Sequence, residues 1–224
     1  MATSPGILGA AVLKEKQRAL REGFPEALTL RVHRGISWLM RAEREEYPDV
    51  RFILLWIGFN AAYAGNIGHA VDGVGSERDA FMGFFTTLNG FDGQQRIYKA
   101  VWQRFSQEIR VLLANQYIFG AFWKHHNGEP GYADWGARLD RANVAVSAAL
   151  RRQDTTTILS ILFDRLYVLR NQLVHGGATF DGSVNRDQVR DGGAVLGFLL
   201  PIFIDLMMDQ PDHPWRMPHY PVVP

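Results

Sequence analysis

Three polar residues with chemically useful side chains gather near the end of one apolar segment. Arg170 and Asn171 are adjacent, and His175 follows four residues after Asn171. Residues four apart are neighbours on a helix, so Asn171 and His175 share a face, and Arg170 lies about 100° away at its flank. Burying an arginine and a histidine without partners is costly. We therefore expect this helix end to meet a partner subunit, a phosphate or water.

These side chains are of the types that cleave RNA without a metal. Cleavage requires deprotonation of a 2′-hydroxyl, protonation of the leaving 5′-oxygen and stabilisation of charge on the phosphorus. An imidazole performs either proton transfer, and the dipole at a helix C-terminus favours its protonated form. A guanidinium matches two phosphate oxygens, and Asn171 can hydrogen-bond an imidazole nitrogen or the phosphate. A structural C-terminal cap with a surface ion pair is the plainer interpretation of the same residues.

Apolar residues recur at helical spacing along most of the chain, and no long alternation of β-branched residues indicates strands. The sequence therefore predicts an all-α, single-domain helical bundle of about eight helices. Asp154 and Thr155 are candidate N-caps for the helix that carries the polar triplet, and Gly176 suits its C-terminal turn. We expect helices near 7–22, 26–46, 50–66, 76–89, 94–125, 132–152, 155–175 and 186–209.

Three segments follow from the positions of prolines and glycines. Residues 1–25 form an N-terminal helix, residues 26–209 form the helical domain, and residues 210–224 form a tail. Five of the last fourteen residues are proline, so the tail is predicted to be an extended arm rather than a helix.

Composition excludes several classes of protein. The 224 residues include no cysteine, which excludes disulfides, thiolate metal sites and a cysteine nucleophile. The net charge of +1 gives no global attraction to nucleic acid. Residues 1–12 do not resemble a signal peptide, and the apolar runs 52–64 and 194–204 fall short of the roughly 20 residues that span a bilayer. We expect a cytoplasmic protein without a membrane partner.

The triplet fits a known signature. Arg170, Asn171 and His175 give Arg-Asn-x-x-x-His late in a helical chain, and an arginine followed after four to six residues by histidine occurs once in the sequence. This pattern resembles the signature of the HEPN superfamily (higher eukaryotes and prokaryotes nucleotide-binding domains). The closing Gly176-Gly177-Ala178-Thr179 resembles its ApeA-like branch. An apolar helix with Trp56, Phe59, Asn60 and Tyr63 is similar to an early HEPN helix.

The resemblance implies a function. HEPN ribonucleases are dimers whose two motifs converge at a two-fold interface into one composite cleft. By this resemblance, Arg170 and His175 of both subunits are catalytic, and Asn171 orients them. RNA is the substrate, and the products are a 2′,3′-cyclic phosphate and a 5′-hydroxyl end. No cofactor is implied. The family also implies a toxin or antiphage-defence role, with an antitoxin or regulatory partner.

A second candidate surface lies earlier in the chain. Arg31, Arg34, Trp38 and Arg41 recur at helical spacing and form a basic stripe with one aromatic residue. Such a stripe can follow an RNA backbone and stack a base. A solvated helix face is the commoner explanation, since residues 43–49 reverse the local charge.

Asn60 and two pairs of possible metal ligands are the remaining candidates in the sequence. Asn60 is either a buried amide or a group that supports the cleft from behind. Adjacent His125 and His126 point to different helix faces, and His69 with Asp72 lacks a third ligand, so we expect no metal site. Three functions therefore remain open: a metal-independent endoribonuclease, a non-catalytic HEPN-like module that binds RNA or a nucleotide, and a structural subunit.

Overall fold

The computed structural model describes residues 8–64, 77–218 and 220. These residues form ten α-helices and no β-strand, which confirms the all-α prediction. The helices are α1 Ala10–Leu20, α2 Glu26–Ala42, α3 Pro48–Tyr63, α4 Glu77–Phe91, α5 Arg96–Lys99, α6 Ser106–Ala114, α7 Gly120–His126, α8 Trp135–Arg152, α9 Thr155–Val174 and α10 Arg186–Met208.

The number of helices exceeds the predicted eight because the segment 94–125 is not one helix. It contains α5, a π-helical turn over Ala100–Arg104, α6, a 3-10 turn over Gln116–Ile118 and α7. One break falls at Asn115, whose side chain accepts a hydrogen bond from the Tyr117 N–H at 2.8 Å. Asparagine competes with helical hydrogen bonds in this way. It therefore starts a new turn here instead of continuing α6.

The chain divides into two compact units. The first unit contains residues 1–72 and 196–224, and the second contains residues 73–195. The predicted domain 26–209 thus contributes to both units. The N-terminal helix and the tail belong to the same unit, so the division does not follow the predicted boundaries after residues 25 and 209.

In the first unit, α2 packs on α3, and one glycine of each helix faces the contact. A Cβ atom on Gly58 would lie 2.9 Å from Leu200 Cδ2 and 3.5 Å from the Gly35 carbonyl oxygen. A Cβ atom on Gly35 would lie 3.0 Å from Ile204 Cδ1. A Cβ atom at either glycine would therefore crowd the end of an α10 side chain, while its distance to the facing backbone would be ordinary van der Waals contact. Phe52, Trp56, Phe59 and Phe203 fill the surrounding core.

In the second unit, α4 packs on α9 through aromatic side chains. The Phe163 ring lies 6.1 Å from the Phe81 ring and 4.8 Å from the Phe85 ring, between centroids. These side chains are fully buried. Asn89 on α4 donates to Thr156 Oγ1 on α9 at 2.7 Å. The apolar contact and this hydrogen bond together fix α9 along its length.

The last helix and the tail differ in character. α10 is long and apolar enough to cross a membrane, but 78% of its most apolar window is buried within the protein, as in a core helix. After α10, the Trp215 N–H donates to the His213 carbonyl at 2.7 Å, and the Trp215 indole donates to the Gln210 carbonyl at 2.9 Å. Residues 211–213 therefore form a turn and a bend, and residues 214–217 have no regular secondary structure. The extended arm that the prolines predict over 210–224 stays a prediction. Pro221 and Pro224 lie outside the described residues.

Candidate functional site

The helix that carries the triplet begins as the sequence predicts. Asp154 caps α9 by accepting hydrogen bonds from the Thr157 N–H at 3.0 Å and from the Thr157 hydroxyl at 2.8 Å. Such a cap satisfies N–H groups that have no partner within the helix. The apolar stripe is fully buried at Ile158, Leu162, Leu166 and Leu169 and half-buried at Leu173. Burial of this stripe fixes the rotation of α9 about its own axis. Arg170 and Asn171, which follow Leu169, therefore lie beside the buried stripe and are half-buried.

The helix ends in a glycine motif that confirms the role predicted for Gly176. Gly176 has a φ of +71°, which favours glycine, and its N–H donates to the Leu173 carbonyl at 3.3 Å. The Gly177 N–H donates to the Gln172 carbonyl at 2.7 Å. These two bonds form a Schellman motif, which satisfies the last helical carbonyls. His175 is the last residue before this reversal and is exposed.

Arg170 and Asn171 contact each other directly. Arg170 Nη1 donates to Asn171 Oδ1 at 2.9 Å, and both residues are half-buried. Within the described part of the chain, no group hydrogen-bonds the imidazole of His175. Asn171 therefore orients the guanidinium, whereas the sequence pointed to the imidazole or the phosphate. The Asn171 Nδ2 group is a further donor at the same helix end.

Gln172 is a structural part of this helix end that the sequence analysis does not single out. Gln172 Nε2 donates to the Tyr117 carbonyl at 2.5 Å, and Gln172 Oε1 accepts from Asn185 Nδ2 at 2.6 Å. One amide thus ties the last turn of α9 to the segments on either side of it. Nothing in its sequence position indicates this, because its partners lie 55 and 13 residues away.

The structure corrects the interpretation of Arg31. This residue is 2% exposed, so it does not belong to an exposed basic stripe. Its Nη1 donates to the Ala62 carbonyl at 2.8 Å at the end of α3, and its Nε donates to the Arg216 carbonyl at 2.7 Å. Longer bonds of 3.4 Å reach the carbonyls of Ala61 and Met217. Burial, with the nearby charge of Arg216, lowers the pKa of Arg31 to about 10. The guanidinium is occupied by main-chain carbonyls and is not open to a phosphate.

The other three residues of the stripe are more accessible. Arg34 is half-buried and donates to the Tyr220 carbonyl at 2.7 Å, and Trp38 is 37% exposed. Arg41 forms an ion pair with Glu45 at 2.6 Å. RNA binding by Arg34, Trp38 and Arg41 stays a prediction, and both of these arginines already have hydrogen-bond partners within the chain.

The remaining candidates lie in different surroundings. Asn60 is half-buried on α3, and a role behind the cleft stays a prediction. His126 stacks on Phe122 with 4.0 Å between ring centroids, and its Nδ1 lies 2.8 Å from the Phe122 carbonyl. Among residues 8–64, 77–218 and 220, no three His, Asp or Glu side chains are close enough to hold a metal ion. His69 and Asp72 fall outside these residues.

Comparison of the chain with protein-family models, with curated proteins and with solved structures gives no match in any of the three. The site itself is the capped end of α9. Within six residues it holds Arg170, oriented by the Asn171 amide, the amide of Gln172 and the exposed His175.

Proposed function

We propose that the chain is a metal-independent endoribonuclease with a HEPN-like fold, acting as a homodimer. The observation that carries the proposal is the 2.9 Å hydrogen bond from Arg170 to Asn171 at the helix end where His175 is exposed. A guanidinium whose direction is fixed by a neighbour loses less conformational freedom when it binds a phosphate. The exposed imidazole is within reach of a substrate from solvent. One helix end thus offers a cation for the phosphoryl oxygens and one of the two imidazoles that the proposed cleavage requires.

The proposed reaction needs two proton transfers. One imidazole removes the proton of a 2′-hydroxyl, and the oxygen attacks the adjacent phosphorus. The bond from phosphorus to the 5′-oxygen breaks, and a second imidazole gives its proton to that oxygen. The Arg170 guanidinium stabilises the negative charge that develops on the phosphoryl oxygens. Each chain has one histidine in this motif. The second of the two imidazoles is therefore His175 of a second copy.

Exposed apolar side chains near the motif support the homodimer. Val174 is 51% exposed, Phe180 is 62% exposed and Val184 is 61% exposed. All three lie within nine residues of His175 in the sequence, and exposed large apolar side chains are common on interaction surfaces. A two-fold contact over this surface would bring each α9 end to its own symmetry mate.

The test is cleavage of a labelled RNA in the presence of EDTA. Wild type should cut, and Arg170→Ala and His175→Ala should each lower the single-turnover rate by about 10²- to 10⁴-fold. Arg110→Ala and His125→Ala are matched controls, because they remove an exposed arginine and an exposed histidine elsewhere in the second unit. Products should carry 2′,3′-cyclic phosphate and 5′-hydroxyl ends. Cleavage that EDTA abolishes, or that survives both site variants, would refute the proposal.

A non-catalytic module that binds RNA or a nucleotide is the second candidate. One observation favours it: within the described residues no group orients the His175 imidazole, whereas general bases are usually held by a hydrogen-bonded neighbour. Such a module would bind RNA and lose affinity on Arg170→Ala, but it would leave the RNA intact.

The wider role belongs to the same proposal. A ribonuclease of toxin or antiphage-defence type acts on cellular or phage RNA and requires control by an antitoxin or regulatory partner. A cytoplasmic location, no cofactor and no membrane partner are the corresponding expectations.

A further inference from the structure

A cavity of about 440 Å³ adjoins the end of α9 within the second unit. Gly177, the second residue after His175, forms part of its wall. The side chains of Tyr117 and Trp123 line it, together with the first residues of α10, which include Arg186 and Gln188. No residue of the triplet lines the cavity, so it is a separate compartment next to the proposed phosphate site.

Gln172 connects this cavity to the triplet. Its amide bonds the Tyr117 carbonyl on one side and the Asn185 side chain on the other. The Trp123 indole N–H also donates to the Tyr117 carbonyl, at 2.7 Å. Two walls of the cavity are therefore fixed to the last turn of α9, directly after Asn171. This arrangement holds the cavity in a constant position relative to Arg170.

The chemistry of the wall selects a planar ring with a polar edge. The indole of Trp123 and the phenol of Tyr117 provide aromatic surface on which a ring can stack. Ser183, Asn185 and Gln188 provide hydroxyl and amide groups at the rim, which pair with ring nitrogens and exocyclic groups. Asp187 Oδ1 is paired with Arg190 at 2.8 Å, and Arg186 is bonded to the Gly182 carbonyl at 2.8 Å, so the neutral amide and hydroxyl groups are the main partners for a ring.

We propose that this cavity binds the nucleobase next to the scissile phosphate and so sets the base preference of cleavage. The inference rests on the proposed ribonuclease for its phosphate, but it makes a separate prediction about nucleotide binding. A base held against Tyr117 and Trp123 leaves its own phosphate near the end of α9, where His175 lies two residues before Gly177 of the wall. The ring of any free nucleotide offers the same chemistry, so the test includes both sources.

The binding test uses the full wild-type chain, because a nucleoside 5′-monophosphate has no internucleotide phosphodiester bond to cleave. Calorimetry measures binding of the four ribonucleoside 5′-monophosphates and of ribose 5-phosphate, which lacks the base. Ser183→Trp places a large ring at the exposed rim, and Val144→Trp adds the same ring at an exposed position of α8 as a control. Because neither original side chain is buried, both variants should fold.

At least one nucleotide should bind about tenfold more tightly than ribose 5-phosphate. Ser183→Trp should lower the affinity for that nucleotide by about tenfold or more, which corresponds to about 1.4 kcal/mol. Val144→Trp should leave the affinity unchanged. Trp123→Leu should have the same effect as Ser183→Trp. Failure of all nucleotides to bind, or equal binding to Ser183→Trp and Val144→Trp, would overturn the inference.

The RNA arm maps cut sites on a randomised RNA with wild-type His175. Wild type should prefer particular bases beside the cut, Val144→Trp should keep that preference, and Ser183→Trp should lose it while still cutting. A preference unchanged in Ser183→Trp overturns the base site and leaves the ribonuclease intact. Nucleotide binding that depends on Ser183 and Trp123, in a chain that cuts no RNA, refutes the ribonuclease and assigns the cavity to free nucleotides.

Discussion

Arg31 on α2 and Arg170 on α9 are both arginines within α-helices, but Arg31 is buried and Arg170 is half-buried. Arg31 is 2% exposed and donates to carbonyls of α3 and of the segment after α10. Arg170 is half-buried and has one neighbouring amide oxygen as its partner among the described residues. The first guanidinium is hydrogen-bonded to several main-chain carbonyls, whereas the second is hydrogen-bonded to one side-chain oxygen.

The comparison shows that burial decides how many donors of an arginine are used within the fold. A buried charge requires partners, because an unpaired one is very costly. The carbonyls at the end of α3 and in the tail meet that requirement for Arg31, so its four hydrogen bonds stabilise the first unit. Arg170 is half-buried near the end of α9, and Asn171 Oδ1 is its acceptor among the described residues. The proposed function requires that its remaining donors bind a phosphate.

The largest expected effect is on the stability of the first unit. Arg31→Ala leaves the Ala62 and Arg216 carbonyls without their donors, so the free energy of unfolding should fall by about 3 kcal/mol. Arg170→Ala should change it by less than about 0.5 kcal/mol, since one solvent-accessible bond is lost. Urea denaturation followed by circular dichroism measures both.

Arg34→Ala is the control for Arg31→Ala, because Arg34 also donates to a tail carbonyl but is only half-buried. It should cost about 0.5–1 kcal/mol. If Arg31→Ala proved no more destabilising than Arg34→Ala, the contrast between a structural and an available arginine would be lost.

A second effect concerns Asn171. If Asn171 fixes the direction of the Arg170 guanidinium, Asn171→Ala should lower the cleavage rate by about tenfold with little change in stability. Asn171→Ser is too short to reach Arg170 and should behave like Asn171→Ala. Single-turnover cleavage with saturating protein separates this loss from weaker binding. A rate equal to that of wild type would show that the hydrogen bond has no part in catalysis.

The smallest effect is expected at the cap. Gly176 has a φ of +71°, so Gly176→Ala should cost about 1 kcal/mol, measured as a lower melting temperature. Gly136→Ala on α8 is the matched control, because a Cβ atom there meets nothing within 4 Å and helical alanine is favourable. It should keep or raise the melting temperature. Equal losses at both glycines would contradict the Schellman motif as the feature that ends α9.

The helical class and most helix positions follow from local signals in the sequence. Apolar spacing and the Asp154 cap locate α9 to within a residue of its predicted end. The break at Asn115 was missed because asparagine is also tolerated inside helices, and the choice depends on a hydrogen bond to Tyr117. The triplet could be recognised from spacing alone, since all three residues lie within two turns.

The remaining features depend on contacts between residues far apart in sequence. Arg31 lies 185 residues before Arg216, and no periodicity indicates that the tail returns to α2. Gln172 likewise gains its role from Tyr117 and Asn185. The sequence also gives no sign of the two compact units, because the chain passes from one to the other within α10 and not at a linker. Sequence patterns describe faces of helices, whereas these contacts depend on where the chain returns.

The central claim is that Arg170 and His175 from two copies form one site, and mixed dimers test it most directly. Wild-type chains are produced together with a ninefold excess of His175→Ala chains, and RNA cleavage is measured per wild-type chain. A site that needs both histidines predicts a fall of about tenfold, because about one wild-type chain in ten then has a wild-type partner. Cleavage per wild-type chain that does not change with the excess, or no RNA cleavage by wild type alone, would contradict the account.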